Sequence, residues 1–207
     1  MPNKLRGLYA VTPECADGKQ LLAQIEAALS GGCRIVQYRD KQSAMPEQVA
    51  RARALRELTR RFGARLLVND DIALAHLIDA DGVHLGQSDG SIVEARDRLG
   101  RDAQIGVTCH DSRHLAMAAG EAGADYVAFG AFFPTTTKQT EHQAEAAILT
   151  WAQMLLEIPC VAIGGITPAN CAPLVQAGAD FIAVCGAVWN GNEAENIRAL
   201  HEAIAAA

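Results

Sequence analysis

The sequence predicts a single α/β domain with the (β/α)8 TIM-barrel fold. Two observations carry that prediction: eight short apolar runs recur along the chain, and helical patterns fill the intervals between them. Strands that are apolar throughout and alternate with helices indicate a parallel sheet covered by helices. No linker or shift in composition separates two parts, and 207 residues with 50% hydrophobic side chains can bury one large core. We therefore expect residues 1–207 to form one barrel domain.

Eight runs of β-branched, aromatic and aliphatic residues are the strand candidates. In chain order they cover residues 7–12, 34–39, 65–69, 82–86, 104–108, 126–130, 160–165 and 181–186. Eight units in about 200 residues lie at the compact end of the barrel range. An open doubly wound sheet is the alternative for such an alternation. The even spacing, and the absence of a GxGxxG turn after the first run, favour a closed barrel.

The intervals between these runs have the apolar spacing of helices. In the first interval the apolar face has the spacing i, i+4, i+7 and i+8, with Leu21, Ile25, Ala28 and Leu29. In the second interval the corresponding face carries Leu55, Leu58 and Phe62. A glycine stands between such a helical stretch and the next buried run at Gly31, Gly123 and Gly178. Since helix C-termini favour a left-handed residue, we expect these glycines to end the helices.

Charge and composition exclude several classes of partner. The net charge is −6 and the pI is near 5.5, and no basic stripe stands out, so a nucleic-acid-binding surface is not expected. Five arginines do cluster, but their spacing predicts the solvated face of a helix; they are Arg51, Arg53, Arg56, Arg60 and Arg61.

Targeting and cysteine patterns predict a cytoplasmic protein without a membrane partner. The N-terminus MPNKLRGLYAVT lacks the apolar region of a signal peptide, and no apolar run approaches about 18 residues. The six cysteines contain no CxxC pair, so we interpret them as small buried hydrophobic residues rather than as zinc ligands or disulfides. The sequence leaves the oligomeric state open and allows a homo-oligomer.

Unusual polar residues follow the predicted strands. In a (β/α)8 barrel the reactive groups come from the C-terminal strand ends and the loops after them. The polar or glycine residues at those ends are Gln37, Arg39, Lys41, Asn69, Asp70, Asp89, Thr108, Thr135, Thr136, Thr137, Lys138, Gly164, Gly165, Cys185 and Gly186. Simpler interpretations exist for single residues, since Asp70, Asp71 or Asp89 would also serve as helix N-caps. His84 lies mid-strand and is expected in the barrel interior.

Taken together, these residues predict two anion sites. Side chains two apart on a strand share a face, so Gln37, Arg39 and Lys41 are expected to point together. Converging cations repel each other unless a multiply charged anion lies among them. Asp70 and Asp89 supply hard oxygen ligands, and Mg²⁺ is commonly held by one or two carboxylates together with substrate phosphates. We expect a Mg²⁺–pyrophosphate site there. The glycines after strands seven and eight predict a second, phosphate-binding site.

The same residues resemble those of the thiamine phosphate synthase family. The resemblance runs from about residue 6 to residue 190 without large insertions. It is carried by five motifs in register: VQYRDK at 36–41, LLVNDDIALAHLIDADGVHLGQSD at 66–89, IGVTCH at 105–110, ADYVAFGAFFPTTTK at 124–138 and VAIGGITPAN at 161–170. It implies a TIM-barrel transferase of thiamine biosynthesis. Such an enzyme uses Mg²⁺ to join hydroxymethylpyrimidine diphosphate to hydroxyethylthiazole phosphate and releases pyrophosphate.

The resemblance also implies roles for individual residues. The pyrimidine diphosphate would be bound by Gln37, Tyr38, Arg39, Asp40, Lys41, Asn69, Thr108 and Lys138. Of these, Arg39, Lys41 and Lys138 would be catalytic, because they neutralise the leaving group as a carbocation-like pyrimidine forms. Asp70 and Asp89 would hold Mg²⁺. The thiazole phosphate would be bound by Thr135, Thr136, Thr137, Gly165, Val184, Cys185 and Gly186.

Two positions depart from the family pattern, and two other functions are consistent with parts of the site. Thr108 stands where the family usually has serine, and Gly186 stands where it usually has serine after Val-Ile. The first departure keeps the hydroxyl, whereas the second removes one. A related barrel that acts as a thiazole tautomerase, or binds thiamine precursors without catalysis, is one alternative. A Schiff-base aldolase or phosphosugar isomerase that uses Lys41 or Lys138 is the other.

Overall fold

The computed structural model describes residues 7–15, 17–135 and 141–207, and these form a closed (β/α)8 barrel. The eight strands pair in chain order, every pair is parallel, and β1 closes the sheet against β8. Helices connect successive strands on the outside of the sheet. The barrel predicted from the alternation of apolar runs and helical patterns is therefore confirmed.

The strands are β1 (Gly7–Val11), β2 (Ile35–Tyr38), β3 (Arg65–Asn69), β4 (Gly82–Leu85), β5 (Gln104–His110), β6 (Tyr126–Phe129), β7 (Cys160–Ile163) and β8 (Phe181–Val184). The helices are α1 (Gly18–Ser30), α2 (Met45–Arg61), α3 (Ile72–Leu77), α4 (Ile92–Leu99), α5 (Arg113–Glu121), α6 (Ala147–Leu155), α7 (Ala172–Gln176), α8 (Gly186–Trp189) and α9 (Glu193–Ala205). Among the residues described, no helix combines the length and apolar character needed to span a bilayer.

All eight predicted strands are present, and their ends differ from the prediction by two residues at most. The largest gain is β5, which continues through Cys109 to His110. The largest loss is at β7 and β8, which end two residues early because Gly164 and Gly186 begin a turn and a helix. The second strand ends at Tyr38, so Arg39 lies in the loop beyond it.

The core has two layers separated by the sheet. The outer layer lies between the strands and the helices and includes the predicted faces of α1 and α2, with Leu21, Ile25, Ala28, Leu29, Leu55 and Leu58 all buried. The inner layer fills the barrel with inward-facing side chains of β1, β3, β6, β7 and β8, namely Tyr9, Val11, Leu67, Tyr126, Ala128, Val161 and Ala183. Successive side chains along each strand therefore enter different layers.

One end of the barrel is fastened by a repeated aspartate. Asp81, Asp125 and Asp180 each precede an even-numbered strand, and each carboxylate accepts a backbone N–H from the first or second residue of the preceding odd-numbered strand. A side chain from the helix before that odd strand donates to the same carboxylate, and these donors are Arg56, Arg96 and Gln153. The recurring Ala-Asp at the start of β4, β6 and β8 is therefore a structural clamp at the N-terminal face.

The prediction that the five clustered arginines form a solvated face is wrong for two of them. Arg51 and Arg56 are buried, with 6% and 9% of their surface exposed, because each binds carboxylates and backbone carbonyls of neighbouring loops. Arg53, Arg60 and Arg61 are exposed, as expected. A helical spacing identifies the polar face, but it does not tell which arginines of that face are covered by loops.

The helix-ending glycines are confirmed in two of three places. Gly123 and Gly178 have φ values of 89° and 111°, in the left-handed region. At the end of α1 the left-handed residue is Gly32, with φ 109°, whereas Gly31 has the helical φ of −71°. Gly31 is needed for a different reason, since a Cβ there would lie 2.7 Å from the Ala194 carbonyl oxygen.

The cysteines largely follow the prediction. Cys33, Cys109, Cys160 and Cys171 are buried, whereas Cys15 and Cys185 are partly exposed. All six are free thiols.

Candidate active site

The C-terminal ends of the strands bring the predicted polar residues into one region. β1 is followed by Thr12 and Glu14, β2 by Arg39 and Lys41, β3 by Asp70, and β4 by Asp89. Since β1 to β4 are successive neighbours in the barrel, these loops lie side by side around one part of the mouth. Hydrogen bonds and salt bridges between them are the basis of the site.

The loop after β1 holds the cationic segment after β2. The Thr12 hydroxyl accepts a hydrogen bond from the Arg39 backbone N–H at 2.9 Å and donates one to the Arg39 carbonyl at 3.1 Å. One Glu14 carboxylate oxygen binds the Arg39 guanidinium, and the other accepts the Lys41 backbone N–H at 3.3 Å. The Arg39 side chain is consequently mostly buried, with 15% exposed. Arg39 therefore has a fixed position before any ligand binds.

Lys41 reaches across to the loop after β3. Its ammonium Nζ lies 2.8 Å from Asp70 Oδ2, and the Lys41 side chain is 53% exposed. Asp70 has a φ of 65°, a left-handed conformation uncommon for a residue with a Cβ. The neighbouring Asp71 takes the N-cap position of α3, where its carboxylate accepts the Leu74 N–H at 2.7 Å. Capping is thus the role of Asp71, and Asp70 faces the mouth.

Asp70 and Asp89 place their carboxyl groups in hydrogen-bonding contact. Burial raises the pKa of the Asp89 carboxyl, and the negative charge of Asp70 raises it further. Burial also acts to raise the pKa of Asp70, but the Lys41 ammonium and the hydrogen bond with Asp89 outweigh it and hold this pKa below its usual value. Asp89 does not cap α4, because Ser91 occupies that position.

Two facing carboxylates are a donor set that fits Mg²⁺. Two ionised carboxylates in such close contact repel each other unless a proton or a cation lies between them. Mg²⁺ takes oxygen ligands and often uses one or two carboxylates, with water and phosphate oxygens in the remaining positions. No group of three or more His, Cys, Asp or Glu side chains suited to a metal occurs within the described ranges. The protein on its own thus offers two carboxylates, and a phosphorylated substrate would complete the set.

Gln37 and Thr108 lie on the inner face of the barrel, beneath the charged side chains of the loops after β1 to β4. Gln37 is 5% exposed, and its amide Nε2 donates to the Tyr9 hydroxyl at 2.7 Å. Thr108 Oγ1 lies 2.9 Å from His84 Nε2, and His84 is 8% exposed. His84 is therefore an interior residue, as its mid-strand position predicted. Asn69 ends β3, where it is partly exposed beside Asp70.

The side chains of Tyr38 and Asp40 do not point into this region, and the binding roles that the resemblance implies for these residues stay predictions. Tyr38 is 2% exposed in the outer layer, on the side of the sheet that faces the helices, and its hydroxyl donates to Asp40 at 3.0 Å. The Asp40 carboxylate also binds Arg51 and the backbone N–H groups of Gln42 and Ser43. Alternation along the strand is the reason, since Gln37 and Tyr38 must enter opposite layers.

The residues of the second predicted anion site follow β6, β7 and β8, and the loop after β8 lies next to the loop after β1. Gly165 has a φ of 63°, and a Cβ there would lie 2.4 Å from the Pro134 carbonyl oxygen, so this turn packs directly on the loop after β6. Gly186 begins α8 and has open space, since a Cβ there would meet nothing within 4 Å. Val184 is buried in the outer layer and Cys185 is partly exposed.

The loop after β6 is described up to Thr135 and again from Glu141. Thr135 is partly exposed at the end of the described segment. Thr136, Thr137 and Lys138 lie outside the described residues, so their assignments to the thiazole phosphate and the diphosphate stay predictions.

Several residues of this region were not singled out from the sequence. Thr12 and Glu14 contact the cationic segment, and Tyr9 and Tyr126 contact each other inside the barrel. The signal for Thr12 and Glu14 was available, because both follow a predicted strand as the other site residues do. Tyr9 and Tyr126 carried no such signal, since an aromatic residue in an apolar run is typical of a core strand.

Comparison with known proteins identifies relatives that match almost the whole chain. A family model described as thiamine monophosphate synthase matches residues 8–188. A thiamine-phosphate synthase of Erythrobacter litoralis is 53% identical over 205 residues, which are 97% of this chain and 96% of the relative. One of Thiobacillus denitrificans is 52% identical over 184 residues, or 89% and 87% of the two chains.

A solved structure gives the same result in three dimensions. The thiamine phosphate pyrophosphorylase of Pyrococcus furiosus superposes with a TM-score of 0.85 at 31% identity and covers 99% of this chain and 97% of its own. The sequence motifs, the barrel and the relatives all lead to one conclusion: the chain belongs to the thiamine monophosphate synthase family.

Proposed function

We propose that this protein is a thiamine phosphate synthase. It joins hydroxymethylpyrimidine diphosphate to hydroxyethylthiazole phosphate and forms thiamine phosphate and pyrophosphate. The observation that carries the proposal is the cluster of Arg39, Lys41, Asp70 and Asp89 at the barrel mouth. This cluster contains both cations and carboxylates. It therefore suits a ligand that carries several phosphate charges and binds together with a metal ion.

Arg39 and Lys41 would bind the diphosphate and stabilise it as it leaves. Negative charge grows on the pyrophosphate as the bond to the pyrimidine methylene breaks, and fixed cations stabilise that charge without having to reorganise. Arg39 is suited to this role because Thr12 and Glu14 already orient it. Lys41 would exchange its salt bridge with Asp70 for a phosphate oxygen, since its ammonium is the more exposed of the two cations.

Asp70 and Asp89 would hold Mg²⁺ between them and the diphosphate. When bound, the ion would supply positive charge for the phosphate oxygens of the leaving group. The carboxylates themselves contribute the ion's position: Asp70 is held by its unusual backbone conformation, and Asp89 Oδ2 is fixed by the Gly86 N–H at 3.0 Å.

The barrel interior would receive the pyrimidine ring. Gln37 and Thr108 lie there below the cations, so the ring and its diphosphate would be bound at successive depths. Departure of pyrophosphate leaves a pyrimidine methylene cation that water would quench. The thiazole nitrogen would attack that carbon from the side of Gly165 and Gly186, and the bound substrates would have to keep water away from it. No protein nucleophile is required, and the buried Cys109 is unsuited to be one because burial raises its thiol pKa to about 12.

The Schiff-base alternative loses its main argument in this arrangement. It depended on crowding of Lys41 by Arg39, whereas each cation has its own carboxylate, Asp70 for Lys41 and Glu14 for Arg39. Borohydride trapping of a lysine adduct would nevertheless revive it.

The decisive assay incubates the full chain with both substrates and Mg²⁺ and follows thiamine phosphate and pyrophosphate together. We expect equal amounts of the two products, and none when either substrate is omitted or when a chelator removes the metal. Lys138→Ala should slow the single-turnover rate while the protein stays folded. If folded protein binds the thiazole phosphate but forms no product, the protein is instead a precursor-binding or tautomerase-like barrel.

A further inference from the structure

A chain of five hydrogen-bonded side chains crosses the barrel interior and connects Gln37 with Thr108. Gln37 Nε2 lies 2.7 Å from Tyr9 Oη, and Tyr9 Oη lies 2.9 Å from Tyr126 Oη. Tyr126 Oη lies 2.9 Å from His84 Nδ1, and His84 Nε2 lies 2.9 Å from Thr108 Oγ1. The five residues come from β2, β1, β6, β4 and β5, so the chain runs across the barrel rather than along one strand.

The two tyrosines in this line of hydrogen bonds are buried, and their phenol groups are uncharged. Tyr9 and Tyr126 are 3% and 6% exposed, and burial raises the pKa of both hydroxyls well above the usual value for tyrosine. Each phenol therefore keeps one hydrogen and can donate only one hydrogen bond. His84 stacks on the Tyr126 ring with 5.6 Å between ring centroids, which fixes the plane of the imidazole.

The direction of every bond in this chain follows from Gln37. An amide nitrogen only donates, so Tyr9 accepts from Gln37. Among the described residues, the Tyr126 hydroxyl is the other hydrogen-bond partner of the Tyr9 hydroxyl, so Tyr9 donates its own hydrogen to Tyr126; otherwise this buried hydrogen would have no acceptor. Tyr126 has then accepted one bond and gives its hydrogen to His84 Nδ1. A histidine that accepts at Nδ1 carries its hydrogen on Nε2, and that hydrogen is donated to Thr108 Oγ1.

Thr108 is the last of these five hydrogen-bonded residues, and its own hydroxyl hydrogen takes part in none of the four bonds. It has accepted a bond from His84, and it is partly exposed near the C-terminal end of β5. We propose that Tyr9, Tyr126 and His84 are positioning residues that make the Thr108 hydroxyl a hydrogen-bond donor to the substrate. The group it receives must be an acceptor, namely an unprotonated ring nitrogen of the pyrimidine or an oxygen of its diphosphate. The identity of that substrate rests on the proposed function.

The reverse arrangement is well defined and would contradict the proposal. If Gln37 presented its oxygen to Tyr9, all four bonds would invert, and His84 would carry its hydrogen on Nδ1. Thr108 would then donate to His84 and could only accept from a substrate.

The first test is the tautomer of His84, measured in the full chain by ¹⁵N NMR without any substrate. His84→Gln assigns the signal among the six histidines. We expect the hydrogen on Nε2 and a hydrogen-bonded, unprotonated Nδ1. Hydrogen on Nδ1, or a doubly protonated ring at neutral pH, would overturn the assigned direction. This result does not depend on activity, so it stands even if the protein is not a thiamine phosphate synthase.

The second test asks whether Tyr126 acts through Thr108. Tyr126→Phe should lower the single-turnover rate about tenfold, the effect of one lost hydrogen bond, in the wild-type chain and in Thr108→Ser, which keeps the hydroxyl. In Thr108→Val the same change should have no further effect, because the group it positions is already gone. Reductions that multiply in Thr108→Val would overturn the positioning role.

Folding is controlled separately. The thermal unfolding midpoint of each variant identifies a loss of folded protein, and Tyr9→Phe provides a second variant. Since Tyr126 keeps its hydrogen when Tyr9 loses its hydroxyl, Tyr9→Phe should reduce the rate less than Tyr126→Phe does. A larger reduction for Tyr9→Phe than for Tyr126→Phe would contradict the order of the chain. If the wild-type chain forms no thiamine phosphate at all, the proposed function fails and only the NMR result bears on the hydrogen-bond direction.

Discussion

The two ends of the barrel use the same kinds of charged residue in different ways. At the N-terminal face, Asp81 and Asp125 each bind an arginine and also the backbone N–H of the second residue of a strand. At the mouth, Lys41 and Asp70 bind each other through their side chains. A carboxylate bonded to a strand's backbone cannot be exchanged without loosening the sheet, whereas a side-chain ion pair can exchange one partner for a ligand. A charge pair alone therefore does not indicate a functional site. The indication comes from whether its groups also bind the backbone of a strand or bind only each other.

The largest effect on activity is expected at the mouth, for Asp70→Asn. Replacing the carboxylate removes a proposed Mg²⁺ ligand and the partner of Lys41, so the turnover rate should fall about 10²- to 10³-fold. The unfolding free energy should change little, because no strand backbone depends on this group. The matched control is Asp71→Asn, one residue away, since asparagine also caps helices well and the Asp71 side chain binds only the Leu74 N–H of α3. Equal activities of the two variants would show that Asp70 takes no part in the reaction.

At the opposite face we expect the reverse outcome, for Asp125→Asn. The change weakens the bonds to Arg96 and to the Ile105 N–H, and should cost about 2 kcal/mol of unfolding free energy. Activity per folded molecule should be unchanged. Asp79→Asn on the same face is the control: that carboxylate is 86% exposed and pairs only with the side chain of Arg60, so its loss should cost about 0.5 kcal/mol or less. Chemical denaturation of the three proteins measures the difference, and equal midpoints would refute the clamp.

A smaller effect is expected for Glu14→Ala, which leaves the cations in place but removes what orients them. We expect the turnover rate to fall about tenfold, since one charge-assisted contact to Arg39 and one to the Lys41 backbone are lost. The KM for the diphosphate should not rise, because the same change removes a negative charge from beside the anion. Glu14→Gln keeps an acceptor and should recover most of the rate. Glu47→Ala, which removes one of the two carboxylates that bind Arg51 among the described residues, is the control away from the mouth. A raised KM with an unchanged turnover rate would show that Glu14 contributes to binding alone.

The smallest effect is expected at Gly186, where the family usually has serine. Because a Cβ there meets nothing within 4 Å, Gly186→Ser should fold normally and add one hydroxyl donor for the thiazole phosphate. A decrease of about fivefold in the KM for that substrate is expected, within the range of a single added hydrogen bond. The contrast at the other face is Gly82→Ser, whose Cβ would lie 1.9 Å from the Gln104 carbonyl oxygen and should prevent normal folding. An unchanged KM in Gly186→Ser would place the phosphate away from α8.

The sequence by itself determined the barrel and which charged residues gather at its mouth. Eight buried runs alternating with helical patterns admit few arrangements, and the C-terminal ends of parallel strands must meet at one face, so Arg39, Lys41, Asp70 and Asp89 were predicted as neighbours. The partners of these residues were not predictable in the same way. Asp70 and Asp71 are chemically identical in the sequence, and only the left-handed backbone at Asp70 turns one to the mouth and leaves the other as a helix cap.

Contacts between residues far apart in the chain were decided by the tertiary structure alone. Arg51 and Arg56 are buried because loops from other parts of the chain cover them. The alternation of side chains along β2 turns the Tyr38 side chain towards the helices and away from the mouth. The hydrogen-bonded line from Gln37 to Thr108 joins five strands, and no spacing in the sequence indicates it. Local sequence patterns determine which face of a helix or strand is apolar. The closure of the barrel determines which inward-facing polar groups come into contact, and therefore which of them donates each hydrogen bond.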